Sequence, residues 1–147
     1  MLRPAGVAAW TVTLLLALVA LAGVTGAAAQ TDERSRVFNV PAERVWTVAR
    51  STLKGLGWDI EQEDREVGWM RTDSRYLEGE NYGVYAKGTR QRLRLVIKSL
   101  DPSRTQVTVE RRVWKQERIL WMNKEEDLPE PNQDAEKQVL DAIGAAL

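Results

Sequence analysis

The chain is predicted to fold as an α+β domain, in which an antiparallel sheet of about five strands carries two helices on one face. Three observations predict this fold: short segments that alternate apolar and polar residues, a long helical pattern after the first of them, and a second helical pattern at residues 132–147. Strands joined by turns, with the helices segregated to one face, form a two-layer domain. The predicted element order is β-α-β-β-β-β-α.

Turns and apolar alternation place the strands within a single domain at residues 36–147, which follows a flexible polar tether at residues 30–35. The predicted strands are, in chain order, 36–40, 58–63, 67–72, 90–98 and 106–115. The segment 73–89, rich in glycine and tyrosine, predicts a long loop or a loose pair of strand extensions. The segment 116–131 predicts a strand continuation that ends in a loop.

Two amphipathic segments predict the helices that cover the sheet. Pro41 fits the first turn of the first helix, and Gly55 and Gly57 end it. Asn132 caps the second helix, whose apolar stripe runs to Leu147. The side chains that these patterns turn inward form the predicted core: Phe38, Val40, Val45, Val48, Leu53, Leu56, Trp58, Ile60, Leu93, Leu95, Ile97, Val107, Val109, Val113, Val139, Leu140 and Ile143.

An apolar N-terminal segment precedes this domain. Residues 1–29 contain one cation, Arg3, then an apolar stretch at 12–24, and they end in the small residues 26–29. This layout is typical of a secretory signal peptide with an Ala-x-Ala cleavage site, and the alternative is an uncleaved membrane anchor. We therefore expect the folded part to be periplasmic or extracellular, and to associate with a membrane only if the leader is retained.

Cysteine and histidine are both absent from the 147 residues. The missing cysteine excludes disulfides, thiol catalysis, thiolate metal sites and lipoprotein acylation, and the missing histidine removes the usual proton shuttle near neutral pH. The 21 basic and 21 acidic residues balance, so net charge provides no general attraction to polyanions. We therefore predict that the protein is not an enzyme and uses neither a metal nor a cofactor.

Three runs in the first half of the domain carry a family resemblance. Residues 37–46 (VFNVPAERVW) lead from a strand through proline into a helix, and residues 56–58 (LGW) open the next strand. Residues 63–73 (EDREVGWMRTD) then form an Asp turn, a glycine and an outgoing strand. This pattern resembles the opening of helix-grip domains of the BamC (NlpB/DapX lipoprotein) type. The resemblance implies a helix-grip-like fold and a non-catalytic accessory role in outer-membrane protein assembly.

A basic row marks the strand predicted at 90–98. Its members alternate with inward residues, and further candidates lie on neighbouring strands: Arg90, Arg92, Arg94 and Lys98, then Arg112 and Arg71. One interpretation is a solvated sheet face with cross-strand pairs to residues such as Glu110. The other is a contact with a protein or an anionic envelope polymer. Nucleic acid is not expected as a partner, because the leader removes the chain from the cytosol.

Aromatic residues supply the remaining candidate contacts. The alternation of the strand at 106–115 points Trp114 to the solvated face, and we predict Trp114 and Trp121 as exposed partner contacts. Tyr82 and Tyr85 belong to the tyrosine-glycine segment 76–88. That segment is interpreted either as a plain mobile loop or as a lid over a groove between the sheet and the final helix.

These observations favour a binding protein over an enzyme. The first hypothesis is an exported interaction module of the bacterial cell envelope, an accessory in outer-membrane protein assembly, which contacts an envelope protein through the basic sheet face and the segment 76–88. The alternative is a periplasmic binding protein for a small apolar ligand held between sheet and helices. A hydrolase is the third hypothesis.

Overall fold

Seven strands and two helices make up residues 32–130 and 132–147, which are the part of the chain that the computed structural model describes. The elements are, in chain order, β1 (Ser35–Phe38), α1 (Ala42–Gly55), β2 (Ile60–Asp64), β3 (Trp69–Thr72), β4 (Arg75–Asn81), β5 (Tyr85–Asp101), β6 (Arg104–Ile119), β7 (Met122–Leu128) and α2 (Asp134–Ala146). All strand pairs are antiparallel in one sheet, which confirms the predicted α+β class. The predicted leader at 1–29 lies outside the described residues.

A long hairpin of β5 and β6 forms the centre of the sheet, paired from its turn at residues 101–104 to Tyr85 opposite Ile119. Near the turn, β3 pairs with β5 and β1 pairs with β6. Further from the turn, β4 pairs with β5 in place of β3, and β7 pairs with β6 in place of β1. The sheet therefore has two parts in series. We call β1, β2, β3 and residues 93–111 the body, and we call β4, β7, residues 85–92 and residues 112–119 the wing.

The hydrophobic core lies in the body, between one face of the sheet and the two helices. α1 contacts α2, β5 and β6, and α2 also contacts β6 and β1. Every side chain of the predicted core is buried or packs against the buried cluster, and the structure adds Trp46, Ala49 and Met70. The helical and strand periodicities therefore identified the buried faces of α1, α2 and the body parts of β5 and β6, whereas the buried residues Met70 and Thr72 of β3 were not predicted.

The helix α1 ends in a glycine turn that positions a core tryptophan. Gly57 adopts a φ of +83°, a conformation that glycine tolerates without steric cost. The amide of Gly57 donates to the carbonyl of Lys54 at 2.9 Å, and the amide of Trp58 donates to the carbonyl of Leu53 at 2.8 Å. This pair of hydrogen bonds is the Schellman pattern. It turns the chain so that Trp58 is only 8% exposed.

A buried ion pair connects α2 to the sheet. Arg111 Nε on β6 lies 3.3 Å from Glu136 Oε1, and the two side chains are 6% and 0% exposed. Arg111 also donates to the backbone carbonyl of Asn132. At the start of α2, the amide of Lys137 donates to the carbonyl of Gln133 at 3.0 Å. The predicted cap at Asn132 is therefore wrong by one residue, and Gln133 occupies the cap position.

The predicted loop at 73–89 consists of β4, a short turn and the start of β5, so the paired alternative is the correct one. Gly79 and Gly88 lie opposite each other across these strands. A Cβ on Gly88 would lie 2.4 Å from the backbone oxygen of Glu78, and one on Gly79 would lie 2.7 Å from the Cα of Gly88. The glycines that suggested a loop instead permit this close approach of two strands, over which the ring of Tyr76 lies.

The segment 116–131 also differs from its prediction. β6 continues to Ile119 as expected, but the chain then returns as β7 instead of forming a loop. β7 is an edge strand whose side chains are almost all exposed and mostly charged. It shows no apolar alternation because neither of its faces is buried, and charge on an edge strand opposes unwanted pairing with other chains.

Candidate functional site

The two turns at the end of the wing lie side by side and form one apolar surface. Tyr85 is opposite Ile119 across β5 and β6, and the amide of Leu120 donates to the carbonyl of Val84 at 2.7 Å. Arg118 Nη2 donates to the carbonyl of Gly83 at 2.6 Å. The exposed apolar side chains of these turns, which we call the tip, are Tyr82, Val84, Ile119, Leu120, Trp121 and Met122.

Exposed apolar side chains are more numerous at the tip than anywhere else in the described part of the chain. Among the described residues, six of the eleven large apolar side chains that are exposed belong to it. Trp121 is 83% exposed, Tyr82 is 68% exposed and Val84 is 65% exposed. Next to them, an open depression of about 450 Å³ is lined by Ile119, Met122 and polar neighbours on β6 and β7. A contiguous apolar patch of this kind marks an interaction surface.

The backbone of the β6–β7 turn is strained at one of these residues. Leu120 has a φ of 54°, and it is the one residue other than glycine with a positive φ in the described part of the chain. Such turns favour Gly, Asn or Asp, because a side chain at positive φ crowds the backbone. Leu120 is nevertheless 51% exposed, so its side chain has only about half of the burial that a core leucine has.

Charged side chains surround the base of the tip. A row of alternating sign crosses all four strands of the wing: Glu80 on β4, Lys87 on β5, Glu117 on β6 and Lys124 on β7. It lies on the same face as Tyr85, Ile119 and Met122, two residues further from the turns along each central strand. Neighbouring members attract each other across the strands, so the row stabilises the wing while surrounding the apolar residues with polar groups.

A second candidate surface is the face of the sheet opposite the helices, which we call the outer face. Four arginines there lie over aromatic rings: Arg90 over Tyr76 at 4.7 Å, Arg94 over Trp69 at 5.4 Å, and Arg92 and Arg112 over Trp114 at 5.3 and 4.7 Å. The distances join the guanidinium carbon to the ring centroid. Contacts of this length are stabilising cation–π interactions.

The prediction that Trp114 is exposed is wrong. Strand alternation placed it correctly on the outer face, but it is only 4% exposed there. The reason is that Arg92 and Arg112 cover its ring with their long side chains. Trp121, the other tryptophan predicted as a contact, is exposed as expected.

Most guanidinium groups of the outer face have anionic or polar partners. Arg94 pairs with Glu110 at 3.4 Å, and Arg112 pairs with Asp127 at 2.7 Å. Arg90 donates to Ser74 Oγ at 2.6 Å. The expected cross-strand pair to Glu110 is thus present, and these three arginines fit the interpretation of a solvated, internally paired face.

Arg92 differs from its neighbours. Among residues 32–130 and 132–147, no carboxylate lies within 4.0 Å of its guanidinium group, although Arg112 stands directly opposite on β6. Partial burial and the positive charges of Arg71 and Arg112 lower the pKa of Arg92 from its usual value. Arg92 therefore has no ion-pair partner among the described residues, and the carboxylates of Glu61 and Glu125 act on it only at longer range.

The predicted contact residues thus divide into three places. Tyr82 and Trp121 belong to the tip, and Tyr85 lies beside it at the start of β5, half-buried. The outer face holds Arg71, Arg90, Arg92, Arg94, Arg112 and Trp114. Lys98 is exposed at the other end of β5. The segment 76–88 is paired within the sheet, so it does not form a lid over the groove near α2.

Four residues of the tip were not singled out from the sequence: Val84, Ile119, Leu120 and Met122. A signal for three of them is present, since residues 119–122 are consecutive apolar residues between two polar segments. Such a run contradicts both helical and strand alternation, and in a soluble domain it points to a functional surface.

The described residues include no cluster of three or more carboxylates placed to hold a metal ion.

No protein-family model matches the chain, and the search of curated proteins finds no match. Within the described ranges, neither α1 nor α2 is long and apolar enough to cross a membrane.

Proposed function

We propose that the chain is an exported, non-enzymatic interaction module of the bacterial cell envelope, which binds another envelope protein through the tip of the wing. The single observation that carries this proposal is the exposure of six apolar side chains in two adjacent turns. Free energy gained on folding does not account for these residues, because they are largely in contact with solvent. Burial against a partner would remove this apolar surface from water.

The composition of the tip favours a protein as the partner. Trp and Tyr are the residues that most often dominate binding energy at protein interfaces, and Trp121 and Tyr82 are the two most exposed aromatics of the tip. A typical interface has an apolar centre and a polar rim. The alternating charges behind the tip provide such a rim, and their mixed sign fits a protein better than the anionic surface of a lipid membrane.

Two features of the sequence support a location in the cell envelope. The layout of residues 1–29 is that of a secretory leader, although these residues lie outside the described part of the chain. The resemblance of residues 37–46, 56–58 and 63–73 to BamC-type domains supports an accessory role in outer-membrane protein assembly. The partner we propose is accordingly a component or a client of that machinery.

Packing gives no support to the alternative of an apolar-ligand carrier. The side chains between sheet and helices are tightly buried, with Val45, Leu53, Leu95, Val109 and Leu140 all at 0% exposure. A carrier needs a cavity there that its ligand fills. Four cavities in the described part of the chain open instead on the wing and beside the outer face.

Crosslinking in envelope extracts tests the proposal with a matched pair of variants. Trp121→Ser removes the most exposed residue of the tip, whereas Val67→Ser removes a side chain that is 72% exposed in the β2–β3 turn of the body. Because both side chains are exposed, each variant is expected to change the free energy of unfolding by less than about 0.5 kcal/mol. We expect recovery of a defined crosslinked partner to fall at least tenfold for Trp121→Ser only.

Two outcomes would reject the proposal. Equal recovery of the partner by both variants would show that the tip is not the contact. Binding of the purified protein to phosphatidylglycerol vesicles that Trp121→Ser abolishes, with no protein partner recovered, would show that the tip inserts into a membrane surface instead.

A further inference from the structure

Arg92 is one of the residues that line an open depression beside the outer face. The depression has a volume of about 240 Å³, and it is lined by Arg71, Arg92, Arg94, Glu110, Arg111 and Arg112. Its volume corresponds to several water molecules at roughly 30 Å³ each, so a small anionic group fits it. Trp114 supports this site from below, because Arg92 and Arg112 both lie over its ring.

The depression has more hydrogen-bond donors than acceptors. Arg71 donates to Glu61 through Nη2 at 3.3 Å, but its buried Nε has no acceptor among the described residues. Buried donors are almost always paired in folded proteins. Together with Arg92, which has no carboxylate within 4.0 Å among the described residues, the free Nε of Arg71 indicates that an acceptor-rich anion completes the site.

We propose that the outer face binds a phosphate group between Arg92, Arg71 and Arg112. A phosphate offers at least three acceptor oxygens, whereas a carboxylate offers two and is satisfied by a single bidentate arginine. Several guanidinium groups therefore match the phosphate better. The carboxylates already on this face pair with other arginines. Glu110 lies 3.4 Å from Arg94, Glu61 lies 3.3 Å from Arg71, and Asp127 and Glu125 lie 2.7 and 3.6 Å from Arg112. Arg92 therefore supplies the guanidinium group that has no ion pair, and Arg71 and Arg112 add the N–H donors that their own partners leave free.

This site is separate from the tip. Arg92 and Tyr85 are seven residues apart on β5, a distance of about 24 Å at the rise of a strand. The phosphate site goes beyond the proposed protein contact, and neither requires the other. Failure of one test therefore leaves the other proposal standing.

An NMR titration with inorganic phosphate tests the site in the purified protein, with sodium chloride keeping the ionic strength constant. We expect saturable shifts of the Trp114 indole resonance, assigned with the Trp114→Phe variant. Arg92→Gln is expected to weaken phosphate binding at least tenfold. Lys98→Gln removes the same charge from the same face of β5 about 20 Å away, and it is expected to change the affinity less than twofold.

Two further arms identify the source and the chemistry of the ligand. Acetate is expected to bind at least tenfold more weakly than phosphate. Sedimentation with phosphatidylglycerol vesicles, compared with phosphatidylcholine vesicles, distinguishes a lipid headgroup from a soluble phosphate compound. Arg92-dependent binding to phosphatidylglycerol vesicles identifies the headgroup, and its absence beside saturable binding of inorganic phosphate identifies the soluble compound.

Three results would overturn the proposal. The first is the lack of saturable phosphate binding, and the second is equal weakening by Arg92→Gln and Lys98→Gln, which would indicate general charge attraction. The third is equal affinity for acetate. A dispersed spectrum of Arg92→Gln shows that the variant is folded. If Arg92→Gln does not fold, Arg92→Lys replaces it in the test. This variant keeps the positive charge but loses the planar guanidinium group, so we expect the affinity for phosphate to fall at least threefold. An unchanged affinity counts against the site.

Discussion

Replacing Leu120 with Asn is expected to cost the fold much less than the same replacement at a leucine of equal exposure. The structure holds Leu120 at a φ of 54° in the β6–β7 turn. This conformation costs an L-residue roughly 1–2 kcal/mol, and Asn tolerates it because its short side chain can bond the local backbone. The substitution therefore relieves backbone strain while it removes apolar contacts.

The two effects are similar in size. Leu120 is 51% exposed, so about half of the roughly 1.5–3 kcal/mol available from burying a leucine is lost, which is about 1 kcal/mol. Relief of the strain offsets this loss. We expect the free energy of unfolding of Leu120→Asn to lie within about 1 kcal/mol of the wild type.

Leu77 on β4 supplies the matched control. It is 49% exposed, belongs to the same wing, and has no positive φ. Leu77, which lies at the register shift of β4, has a similar buried fraction to lose without relief of strain. Leu77→Asn is therefore expected to be less stable than Leu120→Asn by about 1–2 kcal/mol. Urea unfolding with linear extrapolation measures both values, provided that the slopes of the two variants agree. Equal destabilisation by the two substitutions would refute the reasoning, since it would mean that Leu120 bears no backbone strain.

Three further predictions concern the stability of the body, each measured by urea unfolding. Gly68→Ala is expected to cost at least about 2 kcal/mol, because φ is +89° and the new Cβ would lie 2.4 Å from the backbone oxygen of Ile97; a smaller loss would mean that the β2–β3 turn can shift. Arg111→Met is expected to cost about 3–5 kcal/mol at pH 7, because it leaves Glu136 buried without its cation. Burial raises the pKa of Glu136, so the folded state retains the proton to higher pH than the unfolded state. The free energy of unfolding that Arg111→Met loses relative to the wild type must therefore become smaller from pH 7 to pH 5. A loss that does not change with pH would contradict this. Hydrogen bonds from the Arg104 side chain and from the Ser103 amide and hydroxyl lower the pKa of Asp101 to about 2, so the stability that Asp101 contributes is complete above pH 3.8 and is lost towards pH 2. Asp101→Asn should lower the free energy of unfolding at neutral pH and reduce its loss between pH 3.8 and pH 2. An unchanged loss of stability over this acidic range would exclude the role of Asp101.

The sequence was informative wherever an element buries one face. The helix α1 and the body halves of β5 and β6 each pack a single face against the core, so apolar residues recur with the period of the element, and Leu93, Leu95 and Ile97 were assigned correctly. Their partners on the helices, such as Leu53 and Ile143, were found by the same means. The apolar repeat along an element shows which of its faces is buried. In the body, where most elements bury one face, this repeat also indicates the type of element.

The strand β7 was missed for the same reason, and β4 was predicted only as one of two alternatives. The strands of the wing lie beyond the helices, so their faces carry no continuous apolar stripe, and the exposed strand β7 has none at all. Gly79 and Gly88 looked like loop residues, although they serve the contact between two strands. The burial of Trp114 depends on arginines from two strands that meet only in the folded sheet, and no pattern along one strand encodes that contact.

Stability alone does not explain the residues of the tip. A turn built only for folding has no need of a leucine at position 120, because Asn or Gly would remove the backbone strain that offsets the burial of the leucine side chain. Instead, the turn holds a strained leucine beside a tryptophan that is 83% exposed. Strain and exposed apolar surface that persist together in a folded protein are characteristic of functional sites. The difference in stability between Leu120→Asn and Leu77→Asn therefore measures how far the tip departs from what the fold requires, and binding by the tip is the function that we propose to account for this departure.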